Sequence, residues 1–404
     1  MLDNGKAEGA RKIKQIEKYC LRDIAIVSQG FTFSRSYQGK KNLKWNYFKV
    51  ADIGLNPNSK YLTNAINTIS DITMEEIGAL PFPKGSIVFP RVGAALFNNN
   101  KKILAQDGVV DDNVLVLTVT DTSKCWHEFL YYYLQGIPLA KWCNSGLVPV
   151  INTKTVLSQM VFLPSLPEQQ KIATILSTQD KVIELKEKRL AQKQQQKKYL
   201  MQQLLTGKKR LPGFCEKWTR KQLGELFENR VEINRSDLGL LAITSTRGIL
   251  PRDCLDLKDN SSEDKSKYLR ICPGDIGYNT MRMWQGVSAY SEYEGIVSPA
   301  YTILAPMEGV YSHYFAYLFK TQSVIFSFYR FSQGLVDDTR NLKYENFKKI
   351  SVSIPSNVAE QRAIVQILST ADHEIDLLQK SIEAEKQKKK ALMQLLITGK
   401  VRRK

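Results

Sequence analysis

The stretch EQQKIATILSTQD, residues 168–180, returns 192 positions later as EQRAIVQILSTAD, residues 360–372. Aligned without a gap, residues 168–208 and 360–400 agree at 21 of 41 positions. Shared composition does not produce a gapless match of that length, so the chain carries an internal duplication and should fold as repeated units. The duplication reaches beyond this block. Ser145-Gly-Leu-Val148 stands before the first copy as Gln333-Gly-Leu-Val336 stands before the second. His127-x-Phe129 is echoed by His313-x-Phe315, and Glu17-Lys-Tyr19 by Glu216-Lys-Trp218. The chain therefore reads as a globular reader and a strut, twice over.

Each strut carries helix signals. Pro164 and Pro167 precede the first copy and Pro355 the second, with Glu168 and Glu360 in the first turn, where a helix dipole favours carboxylates. Apolar or neutral residues follow at three- and four-residue steps: Ile172, Leu176, Gln179, Ile183, Leu190, Leu200 and Leu204 in one copy. The other gives Ile364, Leu368, Ala371, Ile375, Leu378, Ile382, Leu392 and Leu396. This is an a/d-like seam interrupted by Lys193 and Lys197 in one copy and by Glu385 and Lys389 in the other. Gly207 and Gly399 follow the last turns as stop signals. Ser177-Thr178 is a candidate break, because hydroxyl residues favour caps over helix interiors, so each strut reads as one helix or two. A rod of ~39 residues is ~58 Å long. Two such rods related by a quasi-twofold axis would pair antiparallel, with Glu385 opposite Lys193 or Lys197.

The readers mix short β-like runs with aromatic-rich helices. Ser86–Phe89, Val114–Thr118, Met160–Leu163, Leu240–Ile243, Ala300–Leu304 and Ile350–Ile354 read as strands; His127–Leu134 and Tyr311–Phe319 read as helices. The expected class is α+β: two similar globular domains joined by two long helices packed as an antiparallel coiled coil. The expected partition is an N-terminal extension at 1–18, a reader at 19–165, a helical spacer at 166–212, a second reader at 213–356 and a second spacer at 357–404.

The net charge of +18 suggests a polyanionic partner. Residues 181–210 and 379–404 supply +8 and +7 of it, so solvated helix faces account for most of the excess. The six cysteines show no CxxC pair, which reads as reduced, mostly buried thiols rather than a zinc knuckle or disulfide framework. No apolar run approaches the ~18 residues of a membrane span, and the N-terminus lacks an apolar signal region, so a cytoplasmic location is expected.

Lys84-Gly85 and Gly274-Asp275 open corresponding strands, each followed by an arginine-bearing loop: Pro90-Arg-Val-Gly93 and Asn279-Thr-Met-Arg-Met-Trp-Gln-Gly286. Arginine and lysine suit guanine edges, asparagine and glutamine suit adenine, and lysine and threonine suit phosphates. The candidate contacts are Lys40, Lys41, Lys44, Arg91, Asn99, Lys101 and Lys102 in the first reader. In the second they are Thr246, Arg247, Arg282, Trp284, Gln285, Arg340 and Asn341. Catalytic patterns are missing: the sequence holds neither GxxxxGK[ST] nor GxGxxG, and no (Asn/Asp)-Pro-Pro-aromatic tetrapeptide. His127, His313 and His373 are not spaced as a metal site and read as packed histidines.

The two Glu-Gln-x-x-Ile-x-x-Ile-Leu-Ser-Thr-x-Asp openings and their Leu-Met-Gln-x-Leu-(Leu/Ile)-Thr-Gly-Lys endings resemble the specificity subunit of type I DNA restriction–modification systems. Leu211-Pro-Gly-Phe214…Trp218 and Met281–Gly286…Ile296-Val-Ser-Pro-Ala300 add to the likeness, which spans nearly the whole chain outside residues 1–16. The resemblance implies two target recognition domains, each contacting one half of a split, asymmetric double-stranded DNA site. It implies struts that act as a ruler of about 17 base pairs and dock two methyltransferase subunits. It also implies restriction subunits in the full complex, with S-adenosylmethionine, ATP and Mg carried by partners and no cofactor on this chain. Two other readings stay open: a basic coiled-coil scaffold that binds protein or RNA without sequence preference, and an enzyme with an unrecognised site.

Overall fold

The structure, a computed structural model, describes residues 16–55, 59–144, 146–244, 248–254 and 264–399. The chain divides into two units, residues 1–189 with 379–404, and residues 190–378. Each unit is thus a reader together with pieces of both long helices.

In the first unit a sheet runs in the order Ala25–Gln29, Val114–Val119, Ile87–Pro90, Lys102–Leu104, Tyr61–Leu62. All its neighbours are antiparallel except the last pair. The second unit repeats four of these strands as Phe227–Asn229, Tyr301–Pro306, Ile276–Asn279, Ser288–Tyr290, all antiparallel. The six runs read as strands all fall on strands, and helices α1 (His127–Gln135) and α3 (Ser312–Leu318) stand where aromatic helices were expected. The class is α+β in both units.

The struts are α2 (Leu166–Leu204, 39 residues) and α5 (Val358–Ile397, 40 residues), each a single helix. Ser177-Thr178 does not break α2. The Thr174 and Thr178 hydroxyls bond the carbonyls of Gln170 and Thr174 at 2.8 Å, and Ser177 Oγ accepts from Lys60 Nζ at 3.1 Å. Bonding to the carbonyl one turn back satisfies a hydroxyl inside a helix and removes its pull toward a cap. The start of α2 is locked by Gln169, whose Oε1 accepts the Trp126 N–H (2.8 Å) and whose Nε2 donates to the Lys124 and Pro164 carbonyls. At the start of α5 the buried Glu360 takes both Nε and Nη2 of Arg210, at 2.6 and 2.7 Å. Gly207 and Gly399 follow the helices at φ +70 and +73, the left-handed geometry of a C-terminal stop.

The seam shows how each core is completed. In the first unit Ile172, Ala173 and Leu176 join the cluster around Phe89, Phe129 and Tyr132, and Leu392, Met393, Leu396 and Ile397 pack against it. In the second, Ile364, Val365 and Leu368 join Phe227, Phe315 and Phe319, with Leu204 in the cluster and Leu200 against it. Ile183 and Ile382 are buried. Leu190, Ile375 and Leu378 are half-buried, in the charged middle of the seam.

Polar pairs set the register inside each unit. Glu385 faces neither Lys193 nor Lys197: its carboxylate takes Lys186 Nζ and Gln179 Nε2, each at 2.7 Å. Lys193 instead meets Glu374 at 2.6 Å, and Lys197 meets Asp372. The partner of Glu385 is thus Lys186, seven residues before Lys193, because charge complementarity alone leaves the stagger of two duplicated helices undetermined. The duplication also repeats a three-residue cluster. Tyr132 donates to Asp180 (2.6 Å), which pairs with Lys389 (2.5 Å); Tyr317 donates to Asp372 (2.8 Å), which pairs with Lys197. Lys186 is the largest cause holding the Glu385 carboxyl below its ordinary range. Glu385→Lys sets a cation against Lys186 and is expected to lower the melting temperature by roughly 2–4 °C. An unchanged melting temperature would remove this contact from the register.

Candidate nucleic-acid interface

In the second unit Gly274 (φ +94) turns the chain into the strand Ile276–Asn279. Asp275 beside it is buried against Arg230 (Nε to Oδ2, 2.8 Å) and accepts the Cys272 N–H. The strand delivers residues 280–286 to its end. There Asn279 Oδ1 accepts the Met281 N–H at 2.9 Å and buried Met283 anchors a short 3-10 turn. The turn closes at Gly286 (φ +80), where a Cβ would meet Ile325 at 2.8 Å. Arg282 and Gln285 are left exposed and Trp284 half-buried, its indole N–H on the Met281 carbonyl at 3.0 Å.

The same surface receives helix α4 (Gln322–Phe331) and the segment after it. Trp284 lies edge-on to Tyr329 at 6.2 Å. The Arg340 guanidinium stacks on the same tyrosine, 4.1 Å from the Tyr329 centroid, and donates to Asp337 at 3.3 Å. Gln333 and Asn341 exchange backbone hydrogen bonds of 2.8 and 2.7 Å, and the Leu342 N–H reaches the Thr280 carbonyl at 2.9 Å. Trp284 and Arg340, far apart in sequence, therefore meet on Tyr329, with Arg282 and Gln285 exposed on the Trp284 turn; Asn341 is turned inward, its Nδ2 on the Thr339 carbonyl at 3.3 Å and its Oδ1 buried. Thr246 and Arg247 lie outside the described residues.

The first unit builds the counterpart differently. Gly85 (φ +88) packs under the His127 ring and opens Ile87–Pro90. Arg91 is half-buried, its Nη1 on the Asp112 carbonyl at 3.3 Å. The 3-10 turn Ala94–Asn98 buries Leu96 and exposes Phe97 at 67%. Lys40, Lys41 and Lys44 are exposed on a separate loop, where Lys44 pairs with Asp71 at 2.8 Å.

Three first-reader candidates are not surface contacts. Lys101 and Lys102 are each 2% exposed. Lys101 Nζ donates to Asn99 Oδ1 (2.6 Å) and the Ile137 carbonyl (2.9 Å), and Lys102 donates to the Ser59 carbonyl. Burial pushes the two ammoniums down to about 7 and about 8. Asn99 sits at φ 54, and its Oδ1 is spent on Lys101 and the Leu139 N–H. The polar run Asn98–Lys102 read as a solvated loop. Instead Lys101 and Asn99 supply donors to the Ile137 and Gln135 carbonyls at the C-terminal end of α1, where cations are also favoured by the helix dipole, while Lys102 serves the Ser59 carbonyl. The second unit also buries a lysine on backbone carbonyls, here those of the arginine turn and the strand after it: Lys320, beyond α3, donates to the Gly286 and Ser288 carbonyls at 2.6 Å, and burial lowers it to about 8.

Phe97 and Tyr329 were missed from sequence. Each follows or faces an arginine loop, and an aromatic within six residues of such an arginine was the signal available for Phe97. Two of the three histidines are packed: His313 stacks on Tyr290 at 4.6 Å and Tyr317 at 5.7 Å, and burial lowers both His127 and His313, whereas His373 is exposed on α5. Among the described residues no group of three or more His, Cys, Asp or Glu is placed to hold a metal ion, and no helix is long and apolar enough to cross a membrane.

Residues 13–195 and 265–386 match the family model described as the type I restriction modification DNA specificity domain. The specificity subunit of the type I restriction enzyme MjaVIII from Methanocaldococcus jannaschii is 25% identical over 199 residues, 47% of this chain. That match spans 45% of the relative, less than half its length. Among solved structures, the type I restriction–modification S subunit from M. genitalium superposes with a TM-score of 0.59 at 15% identity, covering 96% of this chain and 97% of its own. A chain from a structure concerned with complex assembly and conformational transition of the type I R-M system gives 0.56 at 13% identity, covering 95% and 97%. At these identities the structural likeness bears on the fold alone.

Proposed function

The chain belongs to the type I restriction modification DNA specificity family, and from that premise we propose that it is the sequence-recognition subunit of such a complex. Its two readers would each contact one half of a split, asymmetric duplex site. The observation that carries this reading is one scaffold presented twice with different loop chemistry. After equivalent strands the first unit offers Arg91 and Phe97, the second Arg282, Trp284, Gln285 and Arg340. Guanidinium and amide groups in a loop clear of the core suit base edges, and a face that differs between the units suits two different half-sites.

In this reading the chain performs no chemistry. Methyltransferase subunits bring S-adenosylmethionine and modify adenine, and restriction subunits bring ATP and Mg. The repeat supports two equivalent docking places on the helices: Leu185 and Leu377, identical in the alignment, are 57% and 51% exposed. Leu185→Asp is expected to release one methyltransferase subunit per complex in native mass spectrometry, and full retention would count against that surface.

Competition binding tests the function. The chain with its methyltransferase subunits should hold one labelled duplex against excess unrelated DNA at physiological salt. Uniform, salt-labile binding would support a scaffold instead. DNA cleavage by the chain alone with a divalent metal would support an enzyme.

A further inference from the structure

Two loops repeat where the readers otherwise diverge. Gly146-Leu147-Val148 and Gly334-Leu335-Val336 hold equivalent places, and Leu147 is 107% and Leu335 99% exposed, with Val148 and Val336 at 56% and 59%. A single exposed leucine needs no explanation. The same leucine standing clear of its own protein at matched positions in both units does.

Both loops are held in shape. Asn144 and Val150 close the first, the Asn144 N–H on the Val150 carbonyl and the Val150 N–H on Asn144 Oδ1, each at 3.1 Å. Gln333 and Asn341 close the second. Gly334 adopts φ +128, and a Cβ there would lie 2.6 Å from the Thr339 carbonyl oxygen, so only glycine fits. Both loops are also fastened to the arginine loop of their unit. The Ile151 N–H bonds the Arg91 carbonyl (2.9 Å), the Gly93 N–H bonds the Pro149 carbonyl (3.0 Å), and the Leu342 N–H bonds the Thr280 carbonyl (2.9 Å).

Side chains that differ between the readers suit bases that differ between the half-sites. A side chain that recurs suits something common to both half-complexes, and because these loops are fastened to the arginine loops rather than to the helices, that common element is the duplex. Resting on the proposed DNA-recognition role, we infer that Leu147 and Leu335 are paired apolar wedges, each pressed against a base step beside the bases its own reader contacts. An apolar side chain inserted at a step partly unstacks it and lets the protein cover more of the duplex without reading sequence. The base contacts proposed for the neighbouring arginines, Arg91 in one unit and Arg282 and Arg340 in the other, hold the duplex against each wedge. In the second unit Asp337 is bonded to Arg340.

The test uses Leu147→Ala, Leu335→Ala and the double variant, each assembled with the methyltransferase subunits, on a cognate duplex carrying 2-aminopurine in one half-site or the other. With wild-type chain both probes should brighten on binding. Leu147→Ala should quench the response in one half-site and Leu335→Ala in the other, each weakening affinity roughly tenfold while base preferences stay the same. Fully exposed positions make alanine harmless to the fold, which a thermal melt confirms. Unchanged affinity and fluorescence would overturn the inference. So would loss of methyltransferase subunits on size exclusion, which would make the loops a protein-docking surface. If the wild-type complex itself prefers no site over competitor, the recognition reading fails first, and the two failures are told apart.

Discussion

Replacing Leu392 and Leu396 together by aspartate is expected to unfold the first unit while the second stays folded. These residues are at the far end of α5, and they pack not on a helix alone but on the cluster holding Phe129, Leu130 and Trp142. Each loses about 1–2 kcal/mol of apolar burial, and each brings a carboxylate against apolar side chains. The sum, roughly 4 kcal/mol or more, is comparable to the whole stability of an ordinary domain. Hydrogen exchange separates the outcomes by location. Amides of Phe129–Leu134 should lose protection while those of Phe315–Phe319 keep it, because the second core is closed by Leu200 and Leu204 instead. Equal loss in both, or in neither, would contradict the idea that each core is finished by the far end of the other copy's helix.

Arg282→Ala should relax discrimination at one half-site by roughly tenfold to a hundredfold and leave the other unchanged. The expectation rests on exposure and placement. Arg282 is exposed on a turn fixed by buried Met283, Gly286 and the Lys320 clamp, so the backbone that carries it survives truncation. A guanidinium paired with a guanine edge is worth about 1–3 kcal/mol of discrimination. Selection of bound sequences from a randomised duplex reads both half-sites at once. Equal relaxation in the two would mean that Arg282 meets phosphate rather than a base.

The duplicated frame was readable because it is written in periodic apolar residues and a repeated opening phrase: α2 and α5 run as the Glu168 and Glu360 copies predict, and the seam leucines toward each end, Leu176, Leu200, Leu204, Leu368, Leu392 and Leu396, face cores. What was not readable depends on three-dimensional neighbours. Nothing in Asn98–Lys102 distinguishes a solvated loop from donors aimed at open carbonyls, so Lys101 and Lys102 read as surface cations until burial removed them. Ser177-Thr178 carries the composition of a helix break, yet the Thr178 hydroxyl is satisfied one turn back in the helix and Ser177 by Lys60 from another segment. Glu385 was placed by charge complementarity, and several lysines met that criterion equally well; only the stagger of the packed helices chose Lys186. In the second reader, the meeting of Trp284, Tyr329 and Arg340 joins three segments that no spacing rule connects.

Profiling methylated adenines across the genome of cells with and without this gene, in the presence of its partner subunits, tests the central claim most directly. The account predicts a motif that appears only with the gene, made of two different short specific blocks separated by a fixed run of unread pairs. Identical profiles, or a single uninterrupted motif, would contradict it.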